Sequence, residues 1–257
     1  MYLTTQGLVL RITAYNDADA LLTLLTPNHG KLTVKARGLR RKNNPLTAPC
    51  QLLAYGEFTL FEYRSMYTIN EANSIELFTP LRRDLQKLSL GTYFAQTAEL
   101  LSQEDLPNPE LLSLVLNCLY ALSEMNLSES LVKAVFELRS ACLAGYTPDL
   151  CGCHRCKNPF PDRFDLAEGR LECSKCRDAF SDAIRMPITA GMLNAMRYIT
   201  TCESKKLFSF SAGEDTLTQL STVTESYLTT KLERGFSTLD FYKSLLIPNE
   251  YTGENHV

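Results

Sequence analysis

The chain has 257 residues, 45% of them hydrophobic and 21% charged, which are the proportions of an ordinary globular protein. No apolar run approaches the ~18 residues that span a bilayer, and no long apolar segment follows the first residues, so we expect neither a membrane helix nor a secretory leader. Nine cysteines in such a chain suit a reducing, cytoplasmic location, where thiols bind metals more readily than they form disulfides.

The net charge of −3 conceals an asymmetry between the two parts of the chain. Residues 1–50 contain seven Lys or Arg and two Asp, a net charge of +5, which leaves −8 for the remainder. A basic front on an acidic body predicts a polyanionic partner at the front and a different kind of partner behind.

Five segments with β-strand character occupy the first 78 residues. They are 7–13, 20–25, 31–37, 52–63 and 66–77, separated by turns rich in Pro, Gly and Asn and by one long loop after residue 37. Five short strands with one long internal loop are typical of a small closed barrel, and the OB-fold is the common one. We therefore predict an OB-fold nucleic-acid-binding domain at residues 1–79.

Six basic side chains and no acidic one lie between residues 31 and 42. In the strand at 31–37 they alternate with apolar residues and so share one face, and the following loop adds three more. The alternative is an ordinary solvated face, but on a barrel of this kind a basic strand and loop are suited to follow a phosphate backbone. The predicted nucleic-acid-binding residues are Lys31, Lys35, Arg37, Arg40, Arg41 and Lys42.

Four aromatic residues of the last two predicted strands are candidates for stacking on bases: Phe58, Phe61, Tyr63 and Tyr67. The barrel core is the better assignment for Phe58.

From Pro80 onward the apolar residues recur every three or four positions, which predicts helices. Residues 111–122 are apolar on two sides, as in a buried helix. Thr189 is the predicted N-cap of a helix that ends near residue 201, and further helices are expected at 214–233 and 239–246. We predict an all-α domain formed by residues 80–149 and 187–257, with a frayed tail after residue 247.

Two Cys-x-x-Cys pairs, which we call the cysteine knuckles, interrupt this helical region. They are Cys153 with Cys156 and Cys173 with Cys176, with sixteen residues between the pairs. This spacing predicts a tetrahedral four-cysteine Zn²⁺ site in a zinc-ribbon insert at residues 150–186. Such a closed site has no free coordination position, so its role would be structural. A redox dithiol pair is the alternative. Cys151 and His154 are treated as spare residues.

Catalytic motifs are missing from the sequence: there is no Gly-rich phosphate loop, no His-Glu-x-x-His and no nucleophile elbow. The three histidines lie in a turn, in a cysteine knuckle and in the tail. We predict a protein that is not an enzyme.

The order of several short motifs along nearly the whole chain resembles the RecO family of bacterial recombination mediators. The motifs are 7–10 (GLVL), 30–32 (GKL), 35–38 (KARG), 81–85 (LRRDL), 145–150 (GYTPDL) leading into the cysteine knuckles, and 232–236 (LERGF) with Leu239. The extra Cys151 departs from the family's pattern and is an alternative ligand to Cys153.

The resemblance implies a role in DNA repair and recombination at the nucleoid. Its expected activities are binding of single- and double-stranded DNA and annealing of complementary strands. Its expected partners are the tail of single-strand binding protein and RecR, with which it would load RecA.

Two alternatives remain: a zinc-containing OB-fold protein that binds RNA, and a nucleic-acid-processing enzyme whose active site the motifs do not reveal. A nuclease should have clustered acids near the basic face, and residues 31–50 contain none.

Overall fold

The computed structural model describes residues 1–125, 127–176 and 183–247. It confirms the predicted α+β class: a closed, OB-like barrel of five strands is followed by helices, with a small sheet between the third and fourth helix. The barrel strands are β1 (Tyr2–Ala14), β2 (Ala20–Thr26), β3 (Gly30–Ala36), β4 (Tyr55–Tyr63) and β5 (Met66–Glu76).

The helices of the described residues are α1 (Leu85–Leu101), α2 (Pro109–Glu124), α3 (Glu129–Leu143), α4 (Ala190–Thr201), α5 (Glu214–Leu232) and α6 (Ser237–Leu246). The strands of the small sheet are β6 (Asp149–Cys153), β7 (Arg163–Asp165), β8 (Arg170–Glu172) and β9 (Arg185–Pro187).

The barrel closes because β1 is long enough to pair with two neighbours. Its first half pairs with β4 and its second half with β2, and a bulge between Val9 and Arg11 accommodates the change of direction. The parallel pairing of β3 with β5 completes the ring. Leu32, Val34 and Ala36 of β3 are buried inside, so the predicted alternation of this strand is confirmed.

Two strands begin more than one residue away from their predicted starts. β1 begins at Tyr2 and not at residue 7, because the polar residues before Gly7 pair with β4 in a continuous ladder. β4 begins at Tyr55, because Leu53 has a positive φ and forms a turn with Ala54 that hydrogen-bonds to both backbone groups of Val9.

The core has two parts. One fills the barrel interior, while the other runs from the end of the barrel through the helices to the small sheet. Leu8, Leu25 and Leu53 of the barrel segment pack in the second part with helical residues, as does Phe164 of β7. The predicted domain limits at residues 79, 149 and 187 stay predictions.

Local sequence explains where the helices begin. The side chains of Asp84, Asn108 and Ser128 each accept a hydrogen bond from a backbone N–H in the first turn of the helix that follows. Thr189 does the same for α4, as predicted. The predicted tail after residue 247 lies outside the described residues.

A group of charged side chains is buried where α3 packs on α5. Lys133 lies 2.9 Å from a carboxylate oxygen of Glu137 and 2.8 Å from one of Glu225, and Glu137 also accepts hydrogen bonds from Tyr93 and Thr224. Burial raises the pKa of Glu137. This face of α3 is buried because α5 packs on it.

Candidate nucleic-acid face and metal centre

The four predicted cysteine ligands come together at one end of the small sheet. Cys153 ends β6, Cys173 follows β8, and Cys156 and Cys176 lie in the tight turns after them. Their four sulfur atoms lie within 4.8 Å of one another, and those of Cys156 and Cys173 are 3.8 Å apart. A tetrahedral ion with metal–sulfur bonds of about 2.3 Å needs sulfur–sulfur distances of about 3.8 Å, so the cluster can hold a metal ion.

The backbone supports this cluster electrostatically. Burial disfavours the thiolate of Cys153, but the N–H groups of Cys156, Cys173 and Arg155 donate to its sulfur and lower its pKa to about 6. The hydrogen bond with Cys156, together with burial, raises the pKa of Cys176 to about 12. A cation between the sulfurs would remove the mutual repulsion of four thiolates.

The two spare residues have other surroundings. The exposed Cys151 lies in β6 and is not part of the sulfur cluster. Nδ1 of His154 lies 3.3 Å from the carbonyl oxygen of Leu171.

The predicted basic residues divide into two groups, of which Lys31 and Lys35 form the first. Nζ of Lys31 donates to the carbonyl oxygen of Glu99 in α1, at 3.1 Å. Nζ of Lys35 lies 2.9 Å from a carboxylate oxygen of Asp19 and 4.7 Å from the ring centre of Tyr15. Both lysines are half-buried, and the fold uses their charges internally.

Asp19 joins the β1–β2 loop to the end of β3. Its carboxylate accepts a hydrogen bond from the backbone N–H of Gly38 at 2.8 Å and pairs with Lys35. These two contacts, together with one from Asn16, lower the pKa of Asp19 to about 2. Gly38 has a φ of +65°, a conformation that glycine adopts without strain, and the chain turns there into the basic loop.

The second group lies in and beside this loop and is exposed: Arg37, Arg40, Arg41 and Lys42. The guanidinium group of Arg40 donates to the carbonyl oxygen of Asn16 at 2.7 Å, which fixes the loop against the β1–β2 turn. In the part of the chain that the structure describes, no carboxylate forms an ion pair with Arg37, Arg41 or Lys42. These three charges are therefore available to a polyanion.

Comparison with known proteins assigns both parts of this molecule. The family model described as "Recombination protein O N terminal" matches residues 1–78, and the model described as "Recombination protein O C terminal" matches residues 82–240. The chain belongs to the RecO family.

Curated relatives of this RecO-family chain carry the name DNA repair protein RecO. The relative from Acetivibrio thermocellus is 35% identical over 246 residues, which cover 95% of this chain and 97% of its own. The relative from Alkaliphilus metalliredigens is 29% identical, and the match covers 95% of this chain and 100% of its own. The relative from Bacillus subtilis is 27% identical, and the match covers 86% of each chain. The predicted family is confirmed, and with it a role in DNA repair.

Among the described residues of this RecO-family structure, every helix is too short or too polar to cross a bilayer.

The candidate stacking residues of this RecO-family barrel lie in different environments. Phe58 is completely buried in the barrel core, as predicted, and Tyr67 is half-buried against the same core. Phe61 and Tyr63 are exposed on the outer surface.

Sequence reasoning missed Tyr2 and Arg64 near these rings. The ring of Tyr2 lies 5.2 Å from that of Phe61, and the guanidinium carbon of Arg64 lies 5.2 Å from the ring centre of Tyr63. Only the pairing of β1 with β4 brings Tyr2 to this place, and a linear pattern does not contain that pairing.

Proposed function

We propose that this member of the RecO family is a recombination mediator without catalytic activity of its own. In this proposal it binds single- and double-stranded DNA, anneals complementary strands, and works with RecR and the tail of single-strand binding protein to load RecA. Because its substrate would be chromosomal DNA, we place its action at the nucleoid in the cytoplasm. The observation that carries the proposal is the exposed loop in which Arg37, Arg41 and Lys42 have no ionic partner among the described residues.

The physical basis of annealing is the neutralisation of phosphate charge. Two DNA strands repel each other through their phosphate backbones. When protein cations neutralise these phosphates, the counterions condensed on the DNA are released to solution, and this release favours binding. A loop that presents its charges outward on a rigid barrel can contact phosphates of either strand and lower the repulsion between them. Base pairing then supplies the specificity, so the protein needs no base-reading groups there.

Within this proposal the six predicted residues have unequal roles. The four exposed residues of the loop region, Arg37 to Lys42, contact phosphates directly. Lys35 holds the loop in place through Asp19, and Lys31 fixes the barrel against α1. Lys31, whose acceptor is a neutral carbonyl, still adds to the positive potential of the face.

For the cysteine cluster we propose one structural Zn²⁺ per chain. Soft thiolate donors in tetrahedral array suit this ion, and a four-sulfur site leaves no position for a substrate. The guanidinium group of Arg197 in α4 donates to the carbonyl oxygens of Leu150, Cys151 and Pro159. The knuckle is thereby attached to the helices, so the ion would stabilise the insert and the packing of α4 on it.

A strand-annealing assay tests the proposed function. The wild-type chain should accelerate pairing of two complementary oligonucleotides, both bare and coated with single-strand binding protein. The variant Arg37→Ala/Arg41→Ala should lose most of this acceleration, while Arg155→Ala, a cation on the knuckle, serves as the matched control. Annealing at the uncatalysed rate by the wild type would refute the proposal, and equal binding of RNA competitor would favour an RNA-binding role.

A further inference from the structure

Three exposed aromatic rings lie together on the outside of the barrel, where β1 meets β4. Tyr2, Phe61 and Tyr63 are 62%, 39% and 61% exposed, and we refer to them as the aromatic platform. The rings of Tyr2 and Phe61 are in contact, with 5.2 Å between their centres. Exposed rings that gather in one place on a soluble surface indicate a binding site more often than isolated ones do.

Strand register places this platform in line with a basic residue. Lys35 of β3 is paired with Thr68 of β5, Thr68 with Phe61 of β4, and Phe61 with Tyr2 of β1. Directly paired residues have their side chains on the same face of a sheet, and this row is on the outer face. With strands about 4.8 Å apart, Lys35 and Tyr2 are separated by about 14 Å along the barrel surface.

Cations flank the rings on two sides. Arg64 lies over the ring of Tyr63, in the two-residue turn that joins β4 to β5. At the other end of the row, the chain continues from Lys35 to the exposed Arg37 and the basic loop. The row therefore presents flat apolar rings between positive charges.

Acidic residues bound the platform and limit its extent. Glu104 and Asp105 line a hollow beside the β4–β5 turn together with Lys31, so two carboxylates stand against one ammonium group there. Glu71 lies in the next outward row, opposite Thr59. A polyanion crossing this surface is kept from both regions by repulsion, which leaves the path along the row from the basic loop to Tyr2.

We propose that the aromatic platform stacks the unpaired bases of single-stranded DNA while the basic loop holds the phosphates. The inference rests on the proposed DNA-binding function and deepens it, because it makes the site selective for strands whose bases are free. Every nucleobase has a π-face, so stacking on Phe61 or Tyr63 is tolerant of sequence. In a duplex the bases already stack on each other, and the platform then has nothing to bind.

The absence of tryptophan from the chain allows a direct test. The variant Phe61→Trp introduces a single indole at the platform, and Tyr120→Trp introduces one at a similarly exposed ring on α2. We expect oligothymidylate to quench the fluorescence of the first variant and not of the second. A fully abasic strand of equal length has the same phosphates and no bases, so it should bind without quenching.

Affinity provides the second measurement. Wild type should bind oligothymidylate at least about fivefold more tightly than the abasic strand, since each stacked base contributes about 1 kcal/mol or more. In Phe61→Thr/Tyr63→Thr this preference should disappear, and in Tyr120→Ala it should persist. Threonine suits an exposed strand position, so the barrel should fold, and the Phe61→Trp measurement is independent of that variant.

The outcomes separate this inference from the proposed function. If wild type binds oligothymidylate and the abasic strand equally while Arg37→Ala/Arg41→Ala loses affinity, base stacking on the platform is refuted and the DNA-binding role of the basic loop is supported. If the loop variant keeps full affinity, the proposed function itself fails. If Phe61→Thr/Tyr63→Thr changes a dimer to a monomer in light scattering and leaves the strand preference intact, the platform is an interface between two copies and the inference is wrong.

Discussion

The four-cysteine cluster and the basic stretch at 31–42 are both conspicuous in the sequence, but the fold treats them differently. The cluster comes together complete, with all four sulfurs within 4.8 Å of one another. The basic stretch is divided: Lys31 and Lys35 are engaged by groups from distant segments, while Arg37, Arg41 and Lys42 form no ion pair among the described residues. A chelating pair is defined by residues three apart, whereas the availability of a charge depends on which carboxylates and carbonyls the rest of the chain brings near it.

The largest effect that sharpens this comparison should follow loss of a cysteine ligand. In Cys173→Ser the metal should be lost and the free energy of unfolding should fall by at least about 4 kcal/mol, because metal binding and folding of the insert are coupled. Metal content by mass spectrometry and thermal melting measure both effects. Cys151→Ser is the matched control and should change neither. Full metal content and unchanged melting in Cys173→Ser would exclude the site.

Lys133 is the opposite extreme to the exposed basic loop, since its charge is buried between two carboxylates. In Lys133→Met the carboxylates of Glu137 and Glu225 lose their common partner, and we expect the free energy of unfolding to decrease by about 3 kcal/mol. Denaturant unfolding would show this. The exposed pair of Lys206 with Glu203 is the control, because Lys206→Met should cost less than about 0.5 kcal/mol.

Within the basic stretch, the residues without an ion pair should contribute more to DNA affinity than the two lysines that the fold engages. Removal of two phosphate contacts in Arg37→Ala/Arg41→Ala should weaken binding of single strands about tenfold near physiological salt. Lys35→Ala should weaken it by less than about threefold, since its charge is already paired with Asp19. Equilibrium binding by fluorescence anisotropy makes the comparison. A larger loss in Lys35→Ala than in the double variant would reverse our division of the stretch.

The smallest expected effect concerns the anchor of the loop. The pKa of Asp19 is lowered from its ordinary value of 3.8 to about 2, by the N–H of Gly38 first and then by Lys35. A lowered pKa in the folded state means that this carboxylate stabilises the protein above about pH 4, and that the contribution disappears as the pH falls toward 2. The melting temperature of Asp19→Asn should therefore be below that of the wild type at pH 6, and the difference should shrink between pH 4 and pH 2. A constant difference over this range would contradict the assigned contacts.

Much of the fold could be predicted because its signals are local. The alternation of β3, the N-cap at Thr189 and the two cysteine pairs each lie within a few residues of sequence. Other features depend on strand pairing over some sixty positions, which no local pattern contains. They are the pairing of β1 with two neighbouring strands and the position of Tyr2 beside Phe61. For the same reason Asp19 and Glu99 could not be recognised as partners of the basic strand. The buried charges of α3 could not be predicted either, because α5, which covers them, lies far along the chain.

The salt dependence of DNA binding is the decisive measurement, because we propose that the exposed loop, and not the cysteine cluster, contacts DNA. If Arg37, Arg40, Arg41 and Lys42 all engage phosphates of a single strand, the logarithm of affinity should fall against the logarithm of salt concentration with a slope of about −3. In Arg37→Ala/Arg41→Ala the slope should flatten by about 1.4, and in the knuckle variant Arg155→Ala it should not change. An unchanged slope and affinity in the double variant would contradict this account.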